Sequence, residues 1–377
     1  MRILFISTMA GASWGGSEEL WVKCAAYALE KGHSVVVSVY DWGALHPKLQ
    51  QLKEKGAEIS LRKKIFYGGS ASQRIKGFFI KKMFAANEIR ALKKHSPDAI
   101  IISQGTIYEC MFPEFEALAG STGAKLSVIT QANSEYETIP AACFETGRNL
   151  FRSAFQLYFV SRRNMEVAER QLAMKLEKAN VVSNPANLRS YEICKWNESA
   201  TVNFAFVGRL NSTVKGLGVL LQVLGRPEWK QRSWQLNLYG KGEDEAYLKE
   251  LVKLYQLESN VNFKGFVNDI KQVWELNHVL LMASTLEGTP LSLIEAMLSG
   301  RTAVVSDVGG NAELIKEGIN GFVAEAPSVN SFGKAMERMW ARRAELHALG
   351  LAAGKTIAGQ LKLDAHEQII NALEKSR

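Results

Sequence analysis

Residues 1–40 read MRILFISTMAGASWGGSEELWVKCAAYALEKGHSVVVSVY, and the order of apolar, small and charged residues in this stretch decides the fold. Ile3–Thr8 is a short apolar run with β-branched residues, which suits a buried strand. The loop Met9–Gly16 is rich in small residues. Ser17 stands where a helix N-cap belongs, and Glu18 and Glu19 fall in the first turn, where carboxylates favour the positive end of the helix. Leu20, Cys24, Tyr27 and Ala28 recur at helical spacing, and Gly32 stops the helix. Ser34–Tyr40 is a second strand. A βαβ opening of this kind predicts a parallel sheet with right-handed crossovers.

The same alternation continues outward. Buried-strand runs follow at Ala99–Ser103, Leu126–Thr130 and Leu157–Val160, each separated by helix-length sequence. Asn184-Pro185 interrupts the pattern, and polar sequence extends to about Ser199. The pattern restarts with strand runs at Phe204–Val207, Trp234–Tyr239, Val261–Lys264, Val279–Met282 and Thr302–Ser306. The expected class is α/β, with two Rossmann-like doubly wound domains facing a cleft. Expected bounds are 1–185 for the first domain, 186–355 for the second, and 356–377 for a helical tail that packs back on the first.

The composition agrees with two globular cores: 377 residues, 47% hydrophobic and 22% charged. Lysine and arginine exceed aspartate and glutamate by 46 − 38 = +8, which favours an anionic partner such as a nucleotide, nucleic acid or acidic membrane surface. Cys24, Cys110, Cys143 and Cys194 form no CxxC pair, so neither a zinc site nor a redox pair is indicated. Met1 runs straight into the first strand, and no apolar run reaches about 18 residues. The expected location is therefore cytoplasmic, with peripheral attachment to the inner membrane face left open.

Three loops carry the chemistry. In Leu286–Gly300 (LEGTPLSLIEAMLSG) a strand ends, and Thr289-Pro290 reads as an N-cap with proline at the first helical position. The free amides of that helix start suit a phosphate or sugar hydroxyls. Glu287 precedes the helix and Glu295 lies inside it, and one carboxylate can accept from paired sugar hydroxyls. Phe206–Gly216 (FVGRLNSTVKG) follows the first strand of the second domain. Gly208 lets the backbone turn close to a ligand, and Arg209 and Lys215 bracket a loop where two cations can neutralise a diphosphate. Ser306–Glu313 (SDVGGNAE) adds a Gly-Gly turn at a further strand end.

Arg209 with Lys215, the E-x7-E pair Glu287 and Glu295, and Gly309-Gly310-x-x-Glu313 with Gly318-x-x-Gly321 together resemble the family 4 glycosyltransferases (glycosyl transferases group 1) of the GT-B fold. Gly15-Gly16-Ser17-Glu18 and Asn184-Pro185 resemble that family too. The resemblance implies that Arg209 and Lys215 hold the donor diphosphate and Glu295 the ribose hydroxyls. Glu287, with the backbone from Gly288 and Thr289 to Leu291, contacts the donor sugar. Gly15 and Gly16 approach the diphosphate or sugar, and the backbone near Phe266 and Val267 brackets the base. It further implies retention of configuration, no metal and no cofactor, since the nucleotide-sugar donor is a substrate. A UDP-sugar is favoured and a GDP-sugar is the alternative. The acceptor is a glycan or a lipid-linked molecule.

One position departs from the family. A histidine often follows a middle strand of the first domain, near the reacting sugar, and Gln131 stands there in this chain. Glutamine can bond a hydroxyl but cannot titrate. A catalytically inactive nucleotide-sugar-binding member and a sugar-nucleotide epimerase of the same architecture are the alternatives. A dehydrogenase is disfavoured because Gly11–Gly16 lacks the G-x-G-x-x-G spacing. From Arg62 to Lys94 there are ten lysines and arginines and one acid, Glu88, interleaved with Phe66, Tyr67, Phe78 and Phe79. That mixture suits an anionic membrane surface that carries the acceptor. Nucleic acid is not expected as a partner.

Overall fold

The computed structural model describes residues 1–63, 87–107, 109–111, 113–185, 193–360 and 364–375. The chain divides into two compact units, Met1–Pro185 with Lys362–Arg377, and Ala186–Leu361. The return to the first unit thus begins at Lys362 rather than at residue 356, because the helix Leu346–Gln360 runs through that point.

The first unit holds a seven-stranded parallel sheet of β1 (Arg2–Ser7), β2 (Ser34–Tyr40), β3 (Glu58–Arg62), β4 (Ala99–Gln104), β5 (Lys125–Thr130), β6 (Gln156–Phe159) and β7 (Ala179–Val181). Their order across the sheet is β3-β2-β1-β4-β5-β6-β7. The second unit holds β8 (Val202–Val207), β9 (Trp234–Tyr239), β10 (Val261–Gly265), β11 (Val279–Met282), β12 (Thr302–Ser306) and β13 (Phe322–Ala324) in the order β10-β9-β8-β11-β12-β13. Helices cover both faces of each sheet, so the central strands are apolar throughout. Ile3 and Phe5 face one core of the first unit, and Leu4 and Ile6 face the other.

The helix Ala365–Glu374 completes the first of these cores. Its Ile369, Ile370 and Leu373 join Leu20, Trp21 and Cys24 of the helix Glu18–Glu30. His33 Nε2 lies 2.8 Å from Glu374 Oε1 and ties down the last turn.

Several local expectations change. Ser17 precedes the helix Glu18–Glu30 but has helical dihedrals and makes no side-chain capping bond. Backbone bonds from Glu18 to Gly15 and from Glu19 to Gly16 start the helix instead. Strands β3, β7 and β13 are additions to the expected set. Arg62 is not a surface cation. It ends β3, is 4% exposed, donates from Nη2 to the Ser7 carbonyl and lies 4.3 Å from the Tyr40 ring centroid. Lys63, Arg90, Lys93 and Lys94 are exposed, whereas the basic and aromatic residues between 64 and 86 lie outside the described residues. Among the described residues no helix is long and apolar enough to cross a membrane. All four cysteines are free, three of them buried.

Candidate active site

In each unit the chain winds outward in opposite directions from two adjacent central strands: β1 and β4 in the first, β8 and β11 in the second. The crevice beyond the carboxyl ends of such strands is where open α/β sheets bind ligands.

In the second unit the loop after β8 is built tightly. Asn211 caps the short helix Ser212–Lys215, its side chain accepting from the Val214 amide at 2.8 Å. Gly216 then adopts φ +62°, and a Cβ there would fall 1.9 Å from the Ala283 carbonyl oxygen at the end of β11. Only glycine allows this approach. Thr285 seals the junction: its amide donates to the Val214 carbonyl at 2.9 Å and its hydroxyl to the Thr213 carbonyl at 2.7 Å. The consequence is that Lys215 Nζ reaches Glu287 Oε1 at 2.6 Å. Glu287 is buried and Lys215 half-buried, so the pair sits in a poorly hydrated setting at the switch point.

Glu287 and Gly288 are also clamped from β12. The Gly310 amide donates to the Gly288 carbonyl at 2.6 Å, and Gly309, at φ +52°, packs where a Cβ would fall 2.2 Å from the Glu287 carbonyl oxygen. The helix begins at Leu291, one residue later than its sequence implies. Pro290 is the cap, with ψ 131°, and its carbonyl accepts from the Leu293 and Ile294 amides. Thr289 and Glu295 are buried, and Leu291 is half-buried.

Arg209 is half-buried in the loop after β8, and its charge helps hold the Glu243 carboxyl below its usual range, after the bonds from the Glu243 amide and Asn211. The Gly208 amide donates to the Tyr239 carbonyl at 3.0 Å. Phe266 is 71% exposed beyond β10, and Val267 packs inward against the core. Arg209, Lys215, Glu287, Gly288, Thr289 and Glu295 therefore belong to one unit, on the loops and the helix that follow β8 and β11.

Residues 201–342 match the family model described as glycosyl transferases group 1. The matched stretch lies within the second unit. An uncharacterized glycosyltransferase of Haemophilus influenzae is 32% identical over 166 residues, 43% of this chain and 46% of that protein. The UDP-Gal:alpha-D-GlcNAc-diphosphoundecaprenol alpha-1,3-galactosyltransferase of Escherichia coli is 31% identical over 100 residues, 26% of each protein. The matched stretches thus span less than half the length of either relative. The crystal structure of Anabaena HepE in complex with UDP-glucose is similar over 100% of both chains, with a TM-score of 0.75 at 17% identity. That likeness concerns the fold, which is GT-B.

The remaining sequence-selected residues lie in the first unit. Gly15 is half-buried and Gly16 exposed, where their carbonyls start the helix Glu18–Glu30. Gln131 follows β5 and is 5% exposed, and neither end of its side chain has a hydrogen-bond partner. Sequence reading treated Glu18 as a first-turn acid and passed over Glu109. The Ser7 hydroxyl donates to Glu18 Oε2 at 2.8 Å, and burial pushes the Glu18 carboxyl up to about 7. Glu109 accepts from the Thr8 hydroxyl and from the Gly105 amide at 3.1 Å, and burial raises its carboxyl as well. The Gly-Gly-Ser-Glu motif pointed at the first of these acids. Glu109 is a lone acid in a loop and carried no signal.

Proposed function

We propose that this chain is a retaining, metal-independent glycosyltransferase that moves a sugar from a UDP-sugar, or a GDP-sugar, to a glycan or lipid-linked acceptor. The observation that carries the reading is the Lys215–Glu287 pair at the β8/β11 switch point, inside the matched group 1 domain. A diphosphate arriving there competes with Glu287 for the Lys215 ammonium. Lys215 and Arg209 then neutralise the leaving diphosphate, the task a metal performs elsewhere. Glu287, released from its cation, accepts hydrogen bonds from donor-sugar hydroxyls, with the Gly288, Thr289 and Leu291 backbone alongside. Glu295 takes the ribose hydroxyls, and Phe266 and Val267 border the base. Gly15 and Gly16 serve the diphosphate or sugar. Gln131, with both ends of its amide unpartnered, positions a hydroxyl of the reacting sugar.

Several relatives and structural neighbours support a uridine nucleotide. The Escherichia coli relative is named for UDP-Gal, and HepE was crystallised with UDP-glucose. The deciding experiment is a thermal-shift panel of UDP-, GDP- and ADP-sugars, followed by NMR of the product formed with the stabilising donor. Transfer with the anomeric configuration kept, and undiminished in EDTA, is expected. Inversion, or activity lost in EDTA and restored by Mn²⁺, refutes the mechanism. Donor isomerisation without an acceptor identifies an epimerase instead. The membrane-guiding role of the basic residues after Arg62, through Lys94, is tested by co-sedimentation with anionic and neutral vesicles, and a protein that stays in solution at low salt refutes it.

A further inference from the structure

A second site lies over β1 and β4 in the first unit, formed by that unit alone. A cavity of about 390 Å³ is lined there by Thr8, Glu18, Tyr40, Ser103, Gln104 and Glu109, among others. Its volume falls within the range of about 300–1,000 Å³ usual for small-molecule sites. Its charged lining is acidic, in a chain with a net charge of +8.

Ser103 offers this cavity a hydroxyl that no protein group uses. It is the register partner of Ser7, so its side chain shares the sheet face of Ile3, Phe5, Ala99 and Ile101, the face that the helix Glu18–Glu30 covers. Ser103 is 3% exposed and its hydroxyl has no hydrogen-bond partner. Its neighbour Ser7 already bonds Glu18. Buried hydroxyls are normally paired, so a ligand atom between Ser103 and Glu18 completes the arrangement.

The two carboxylates, Glu18 and Glu109, lack an ion-pair partner at hydrogen-bonding distance among the described residues. Arg62 acts on Glu18 through its field without bonding it, and the other cations nearby are paired or stacked. Arg62 on β3 bonds the Ser7 carbonyl and lies over the Tyr40 ring of β2. In the helices nearby, Lys48 pairs with Glu19, and His46 stacks on Trp14 at 3.7 Å. A buried carboxylate without a partner is costly, and these two reduce the cost by holding protons more tightly. A neutral hydroxyl ligand leaves that cost in place, whereas an ammonium removes it and donates to the Ser103 hydroxyl as well.

We propose that this cavity binds a sugar through a protonated amine, with Glu18, Glu109 and Ser103 as its recognition groups. On the glycosyltransferase reading the acceptor therefore carries an unacetylated amino group; the amine site itself does not depend on that reading.

The test uses the full chain without donor. Glucosamine, glucose and N-acetylglucosamine are titrated by calorimetry and saturation-transfer NMR at about pH 5, well below the Glu18 value of about 7, and at about pH 7, where about half of that carboxyl is ionised. Glucosamine is expected to bind about tenfold or more tightly than either neutral sugar at the higher pH, the difference one charge-assisted bond makes. Its affinity should fall at the lower pH, where the Glu18 carboxyl is protonated. Glu18→Gln and Glu109→Gln should each erode the preference and the pH response. Equal affinities in the unmodified protein, no glucosamine binding at millimolar concentration, or a preference that survives both substitutions overturns the proposal. UDP titrated into the same samples separates the two readings. UDP binding without amine selectivity leaves the donor site standing and removes this one; amine selectivity without UDP binding does the reverse.

Discussion

Lys215 Nζ lies 2.6 Å from Glu287 Oε1 and joins the loop after β8 to the loop after β11, 72 positions further along the chain. The contact exists because Gly216 lets the first loop press against the end of β11. It ties the hydrogen-bond partner of one residue to that of the other. On the proposed mechanism, an anion that takes Lys215 removes that bond from Glu287 Oε1.

Lys215→Ala should weaken UDP binding by about 10- to 100-fold, the loss of a charge-assisted bond. Glu287→Ala should preserve UDP affinity, because it removes the competitor for Lys215, while lowering turnover through the lost sugar contact. Calorimetry with UDP and steady-state turnover read the two effects separately. Equal loss of UDP affinity in both variants refutes the exchange.

Glu295→Ala should weaken UDP and its sugar conjugate to the same degree, by about 1–3 kcal/mol if the ribose hydroxyls lose their acceptor. A variant that binds UDP normally but discriminates against the conjugate would move Glu295 from the ribose to the sugar.

Gly216→Ala combines a left-handed backbone, φ +62°, with a Cβ placed 1.9 Å from a carbonyl oxygen. Forcing a side chain into that region costs about 1–3 kcal/mol before the clash is counted. The expected result is a lower thermal midpoint and loss of UDP binding together. Retention of both would mean that the loop after β8 can move away from β11 without harm.

Glu18→Gln should change how stability varies with pH. The Glu18 carboxyl is pushed from 4.5 to about 7 on folding, so the folded state holds a proton that the unfolded state releases between those values. The stability this contributes is fully present below about 4.5 and is lost as pH rises through about 7, by about 3 kcal/mol at most. Thermal midpoints followed across this range should therefore decline more for the unmodified protein than for the variant. Parallel curves would show that Glu18 does not titrate within that window.

Much of the fold was legible because buried parallel strands are continuous apolar runs, as in Ala99-Ile-Ile-Ile102 and Val279-Leu-Leu-Met282. Edge strands lack that signal. Glu58–Arg62 alternates polar with apolar residues, and β7 and β13 are three residues each. Their pairing depends on a neighbouring strand that supplies the hydrogen bonds. In the site, residue type and spacing identified Lys215 and Glu287, but their contact follows from tertiary closeness at Gly216 and Thr285. Arg62 was misjudged because its basic neighbours in sequence resemble a surface stretch, while its register opposite Tyr40 turns it inward. Burial of this kind is decided by the sheet rather than by local composition.

The helix Ala365–Glu374 imposes an order on synthesis. Most of the first unit emerges from the ribosome early, but Ile369, Ile370 and Leu373, which close the core around Trp21, are translated only after the second unit. At roughly 5–20 residues per second, the intervening unit delays them by roughly 10–35 s. Through that interval the nascent chain presents an uncovered apolar face on the helix Glu18–Glu30, a ready substrate for chaperones. Ribosome-bound chains halted before residue 365 should engage them, and release should follow once the last helix clears the exit tunnel.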